Sequence, residues 1–399
     1  MKDPNREPVK PTSVPPASSS AQRVRFDFID MARLYGVTLV YYGHIIESYM
    51  KAGSSVAAVH YKFIYSFHMP LFFILAGYVA KTHPRGLLPT EWARHHLTSR
   101  LVPYLFLSLL LIIPTFWTTD FTAGLVLPSV DGYVKGIAVT ILGGFPYFNI
   151  PTWFLVCLFM VEFYHYCSSR LLTSNTKVLL IAFGFYLFGT ILAWNAHFLR
   201  PTNMLAPHGK IYPYFMILEA FTGYSLYLVG VFLRRNKFLA GTLSPFKGVM
   251  AALACLFLVF LSYDLNKGMS LLPFHDAVLL AVSSHGNPIL FPLTALIGTL
   301  MILLLAKLTS GNRFLCYLGG NTLIIFGLNG VFYHLINDRL AEKLLFTYGD
   351  HAIIILVSGS LITLASIVLT IPFVVIFSRY IPQLIGKPQL DGPIMRRLV

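Results

Sequence analysis

The chain has 399 residues, a net charge of +14, 56% hydrophobic residues and only 12% charged ones. Soluble domains carry about a quarter charged residues, so this composition excludes an ordinary soluble domain and points to an all-α, polytopic membrane protein. The basic residues lie mostly between apolar runs, so membrane topology rather than nucleic-acid binding accounts for them. Cys157, Cys167, Cys255 and Cys316 sit in or beside apolar runs without metal-ligand spacing, and no metal site is expected.

Residues 1–24 are rich in Pro, Ser and charge and read as a disordered cytoplasmic tail. They show neither the apolar core nor the small-residue cleavage site of a signal peptide. Residues 25–380 read as one membrane domain, and 381–399 as a short basic cytoplasmic tail. A span takes about 20 mainly apolar residues. Ten stretches approach that length: Met31–Met50, Phe63–Ala80, Ser99–Trp117, Ile150–Cys167, Thr176–Trp194, Ile211–Leu233, Phe246–Tyr263, Pro288–Lys307, Phe314–Ile336 and His351–Ser378. Gly136–Phe145 reads as an interfacial or re-entrant piece, and Leu271–Val282 is too short to span. With the N-terminus inside, 21 of the 30 basic residues fall on inner segments and eight on outer ones. That asymmetry predicts a multi-pass plasma-membrane protein with ten spans and both termini cytoplasmic. The outer stretches Thr118–Asn149, Asn195–Lys210, Asp264–Asn287 and Asn337–Asp350 carry Tyr, His, Asn and Asp, and suit a polar extracytoplasmic molecule.

The first span holds Asp30, Arg33, His44 and Glu47. Arg33 and His44 are eleven residues apart, close to three helical turns, so they share a face roughly 16 Å apart along the axis. Glu47 falls near the same stripe, Asp30 and Tyr41 lie at its edge, and Val37 and Val40 interrupt it. Ionisable groups gathered on one side of an apolar span indicate a cavity lining. Entered from inside near Asp30, this helix offers a cation at the inner mouth and an imidazole past the midplane. Glu47 is placed to hold that imidazole in one tautomer. Plainer roles compete at each position. Arg33 can snorkel to headgroups, Asp30 can cap the helix or pair with Arg33, His44 can be a packing residue, and Glu47 can sit in the outer interface without a partner. Pro70, in His68-Met69-Pro70, is expected to kink the second span.

The run Asp30-x-x-Arg33-x-x-Gly36, then Gly43-His44, Phe67-His68-Met69-Pro70-Leu71-Phe72-Phe73 and Ala76-Gly77-Tyr78 resembles the acyltransferase-3 family, in its fucose 4-O-acetylase-like branch. Arg100-Leu101-Val102-Pro103-Tyr104, Trp153-Phe154-Leu155 with Glu162, and Gly320-Asn321-Thr322 extend the resemblance over most of Arg25–Ser378. The chain departs from the family pattern at Ala76, where a Ser is usual. It departs again at Asn329, where a His often stands eight residues after the Asn of the late motif, and His334 follows more than a turn later.

The resemblance implies a membrane enzyme that moves an acyl group, usually acetyl, from acyl-coenzyme A to a hydroxyl of a surface carbohydrate. Acetyl-CoA is then a donor substrate rather than a permanently bound cofactor. Arg33 and His44 fall on the family's Arg and His pair and become the expected catalytic residues. Arg100 falls on the basic position of the third-span motif, facing the coenzyme. His68, Arg94, Glu47, Asp30, Tyr78, Trp153 and Asn321 are further candidates for substrate or cofactor binding. The chemistry agrees: attack on a thioester needs a base for the hydroxyl proton, and an imidazole titrates near neutrality. The coenzyme's phosphates suit an Arg. A transporter or flippase of a polysaccharide or lipid-linked sugar is the rival reading. It lacks the internal repeat common in such proteins.

Overall fold

The computed structural model describes residues 26–80, 88–115, 130–194, 214–268 and 276–399. The expected tail 1–24 lies outside the described residues, as do positions 118–129 and 195–210 of two outer stretches and 269–275 of a third. The described residues form helices joined by short turns, with no strand beyond one isolated bridge between Leu279 and Ser284.

Along the chain come α1 (Asp27–Lys51), α2 (Ser55–Tyr65), α3 (His68–Tyr78) and α4 (Pro89–Thr115). Then follow α5 (Val130–Ile141), α6 (Trp153–Ser168), α7 (Asn175–Trp194), α8 (Ile217–Arg235), α9 (Pro245–Ser262) and α10 (Leu290–Thr309). The last four are α11 (Arg313–Gly319), α12 (Thr322–Leu335), α13 (Asn337–Tyr348) and α14 (Ala352–Tyr380).

Among the described residues, seven helices are long and apolar enough to cross a membrane: α4, α6 with the turn before it, α7, α8, α9, α10 and α14. The pair α11 and α12, bent by 68°, makes an eighth if it counts as one broken span. Two of the ten expected spans fall short for physical reasons. Met31–Met50 lies within α1, whose 25 residues are long enough, but its charged and hydroxylated side chains dilute its hydropathy. Phe63–Ala80 is broken between α2 and α3. Gly136–Phe145 overlaps α5, only 12 residues long. The described part of Leu271–Val282 leads into a tight turn with Val278 and Leu280 buried.

Sequence accounts for the breaks. Phe67 leaves helical geometry (φ −144°, ψ −19°), so the break precedes Pro70, which occupies the third position of α3. There its missing N–H is one that no intrahelical carbonyl would have used. The His68 ring closes the gap by donating from Nδ1 to the Ile64 carbonyl at 2.9 Å. In α4, Pro103 has no N–H to offer the Ser99 carbonyl, which accepts Arg100 Nη1 at 3.2 Å instead. The turn Leu97–Leu101 relaxes to a π-helix, with Val102 N bonding Leu97 O. π-turns are uncommon and frequent at functional sites; this one carries Arg100.

α1 is the hub. It packs against α2, α3, α10, α11, α12, α13 and α14, and Ile29, Met31, Val37, Ile45, Ile46 and Tyr49 are almost wholly buried. The peripheral helices differ in kind: only 22% of the apolar window of α9 is buried against protein, compared with 61% for α8. Phe257, Phe260 and Leu261 on α9 and Leu361, Leu364 and Leu369 on α14 face outward, as lipid-facing surfaces require. Small residues bring the inner helices together. A Cβ on Gly77 of α3 would stand 1.8 Å from the Tyr227 carbonyl oxygen of α8, and one on Gly230 would stand 2.0 Å from that of Ile74. Such close backbone contact is how helices associate where lipid competes for every apolar side chain.

Candidate active site

α1 carries one polar cluster at each end. At its start, Arg33 Nη1 donates to Asp30 Oδ1 at 3.3 Å, and this is the only partner of the guanidinium among the described residues. The side chain keeps 31% of its surface accessible, although its head is enclosed by protein. That combination describes a residue lining a cavity, with most of its N–H groups uncommitted. Arg100 lies close enough for the two like charges to repel, but its donors are largely used. Nε and Nη2 clasp Glu162 at 2.9 and 2.7 Å, and Nη1 holds Ser99 O. Glu162 is buried and also faces His96 Nε2 at 3.9 Å. A buried carboxylate stripped of such a fork is destabilised by about 3–5 kcal/mol, so Arg100 carries structure as well as charge.

At the far end of α1, His44 Nδ1 meets Asn329 Oδ1 of α12. A carboxamide oxygen only accepts, so this contact calls for a proton on Nδ1 and would leave Nε2 with its lone pair. The His44 ring is half-buried and lies 4.6 Å from the Tyr333 ring. Glu47 does not hold the imidazole; its oxygens are taken by Lys51 Nζ at 2.7 Å, Tyr333 Oη at 2.8 Å and Tyr65 Oη at 3.4 Å. Only 3% of Glu47 is exposed, and three donors are what a carboxylate at that depth needs. Tyr65 stacks on Tyr61 at 3.8 Å and meets the His68 ring edge-on at 4.5 Å. Ser48 donates to Asp338 beside this cluster.

Thus Arg33, Asp30 and Arg100 gather at one end, and His44, Glu47 and His68 at the other. The remaining sequence candidates join neither group. Arg94 is exposed and donates from Nε and Nη2 to Leu398 O at 3.2 and 2.8 Å, tying the C-terminal segment to α4. Tyr78 donates to Phe238 O at 3.0 Å, among Phe26, Phe28 and Arg234. Trp153 opens α6 in the core against Phe154. Asn321 sits in the bend between α11 and α12, where its oxygen accepts Ser378 Oγ at 3.0 Å and Lys387 Nζ at 2.6 Å. Among the described residues, no cluster of His, Cys, Asp or Glu is arranged to hold a metal ion.

Sequence reasoning missed Lys51, Tyr65 and Tyr333 as the partners of Glu47. Lys51 stands four residues from Glu47, a signal readable from helical spacing; the tyrosines come from other helices and left none. Asn329 drew notice only as a departure from a motif.

Two clusters on one helix, an anion-ready guanidinium at one end and an imidazole with an open nitrogen at the other, suit transfer chemistry between the two faces of a bundle. No curated protein and no solved structure matches the chain. A family model described as an acyltransferase domain (Acyl_transf_3) matches residues 26–379. The chain therefore belongs to the acyltransferase-3 family of membrane acyltransferases.

Proposed function

We propose that the protein transfers an acyl group, acetyl in the first instance, from acyl-coenzyme A to a hydroxyl of a cell-surface or lipid-linked carbohydrate. In this reading ten segments span the plasma membrane and both termini are cytoplasmic. α1 and the broken pair α2–α3 then cross among the other helices, where their polar groups are sheltered from lipid. The observation that carries the reading is the pairing on α1 of Arg33, with free N–H donors, and His44, with a free Nε2.

Arg33 receives the phosphates of the donor through charge-assisted bonds. The pantetheine arm runs along α1 and brings the thioester to His44. His44 Nε2 takes the proton of the acceptor hydroxyl as its oxygen attacks the thioester carbon. The tetrahedral intermediate collapses with cleavage of the C–S bond, and the imidazolium returns the proton to the departing thiolate. The half-buried Tyr65 ring, its hydroxyl already committed to Glu47, offers an aromatic edge to a sugar at the same end. A transporter without acyl transfer is not favoured, given the family to which the chain belongs.

The test is transfer of radiolabelled acetyl from acetyl-CoA to glycan by the protein reconstituted in vesicles. Wild type is expected to label glycan, and His44→Ala to fall by a factor of at least ~100. Equal labelling by both would refute the assignment.

A further inference from the structure

We propose that Asn329 is the positioning residue of the reaction, holding His44 as the Nδ1–H tautomer so that Nε2 acts as the base. The proposal rests on the acyl-transfer reading above for what Nε2 does, but the tautomer itself can be measured without it.

Three observations carry the inference. Asn329 Oδ1 is the hydrogen-bond partner of His44 Nδ1, across α1 and α12. Asn329 is fully buried in the otherwise apolar run Leu323–Phe332 of α12, with Ile324, Ile325, Phe326 and Leu328 before it. Its Nδ2 has no hydrogen-bond partner among the described residues. A buried donor left unpaired weakens a fold, and a leucine of similar shape would pack there without that penalty. Packing alone therefore does not explain this side chain, whereas its bond to His44 does.

The backbone that carries Asn329 is also pinned from two sides. Asn149, fully buried, donates from Nδ2 to Leu107 O at 3.0 Å and Gly327 O at 2.8 Å. Tyr41 donates to Ile325 O at 2.7 Å, three residues before His44 on α1 and four before Asn329 on α12. The carboxamide is thus presented from a backbone fixed against both α4 and α1. A base whose far nitrogen is held by a third group is the general arrangement for an activated hydroxyl. A wrong tautomer in such an arrangement removes most of the rate.

The test combines 15N spectra of histidine-labelled protein in bilayers with kinetics, the His44 signals being assigned by their loss in His44→Gln. Wild type is expected to show protonated Nδ1 and unprotonated Nε2 at His44. Asn329→Leu is expected to keep its thermal stability, to lose that preference, and to lose kcat by about 10–100-fold with the KM for acetyl-CoA unchanged. Asn329→Asp, which retains an acceptor at the same place, is expected to restore the Nδ1–H tautomer and most of kcat. A wild-type His44 protonated at Nε2 overturns the proposal, and so does an Asn329→Leu protein whose His44 keeps the Nδ1 proton. If Asn329→Leu does not fold, the wild-type spectrum and Asn329→Asp still decide. A tautomer as proposed in a protein that labels no glycan refutes the acyl-transfer reading and leaves the positioning role standing.

Discussion

Tyr41 and Ile325 lock the register of the two helices that form the His44 site: the buried Tyr41 hydroxyl donates to the Ile325 carbonyl at 2.7 Å. That carbonyl lies one helical turn before Asn329, so it is also the one that receives the Asn329 backbone N–H within α12. The bond therefore ties α1 to α12 immediately beside the contact between His44 and Asn329. Tyr41→Phe removes the hydroxyl and leaves the ring packing against Phe332 intact. The expected outcome is a loss of about 1 kcal/mol in stability and a several-fold fall in kcat, without a change in KM. Thermal unfolding in detergent and acetyl-transfer kinetics check both.

Arg33 and Arg100 carry the same charge at the same end of α1, yet they predict different phenotypes. Arg33 has one acceptor and accessible surface; Arg100 is committed to Glu162 through two bonds. Arg33→Lys keeps the charge and loses the planar fork that grips a phosphate. A charge-assisted bond is worth about 1.5–3 kcal/mol, so the KM for acetyl-CoA is expected to rise about 10–100-fold with kcat little changed. Arg100→Lys breaks the clasp on a buried carboxylate and should show first as lower thermal stability. Steady-state kinetics beside melting curves separates the two.

The Ala76-Gly77-Tyr78 motif predicts a packing phenotype rather than a catalytic one. At Gly77 a methyl group would overlap the Tyr227 carbonyl oxygen at 1.8 Å, and backbone cannot swing aside as a side chain can. Gly77→Ala must separate α3 from α8 and is expected to lose at least about 3 kcal/mol, the upper range for overpacking. Gly184, in the middle of α7, has nothing within 4 Å of its would-be Cβ. There Gly184→Ala should leave stability unchanged or raise it by about 0.5–1 kcal/mol through helix propensity. Yield of folded protein and unfolding temperature in one detergent measure the pair.

These cases show why some of the site was readable in advance and some was not. Arg33 and His44 stand out because ionisable groups are rare in apolar helices and 3.6-residue spacing puts them on one face. Local arithmetic of that kind also places Lys51 beside Glu47. It fails where the partner comes from a distant helix: Asn329 is 285 residues from His44, and Tyr333 is 286 from Glu47. For α1 two signals oppose each other, since the ionisable side chains that set the helix apart also lower its hydropathy. Pro70 marked the right neighbourhood for a break, but the chain bends before the proline because a first-turn proline disturbs no hydrogen bond. Arg94 is a candidate for substrate or cofactor binding in the sequence, and the C-terminal segment that occupies it cannot be read from that part of the chain.

Asp350 predicts an acid-sensitive joint on the surface. It precedes α14 and accepts from the Ser54 hydroxyl, from the Ser55 hydroxyl and backbone N–H at 2.8 Å each, and from Val56 N at 3.4 Å. Burial pushes its pKa up, but the four hydrogen bonds, at the positive end of α2, outweigh that and hold the carboxyl below its ordinary value of 3.8. A folded pKa below the unfolded one stabilises the protein at pH values above the unfolded pKa. That contribution fades as pH falls below 3.8 and through the depressed folded value. Asp350→Asn should therefore lower the unfolding temperature at pH 7 by an amount corresponding to about 0.5–1 kcal/mol, the size of an N-cap contribution. The gap between wild type and variant should narrow as the pH falls below 3.8 and through the depressed folded value. A gap that stayed constant through that range would show that the charged form of Asp350 does not anchor α2 to the start of α14.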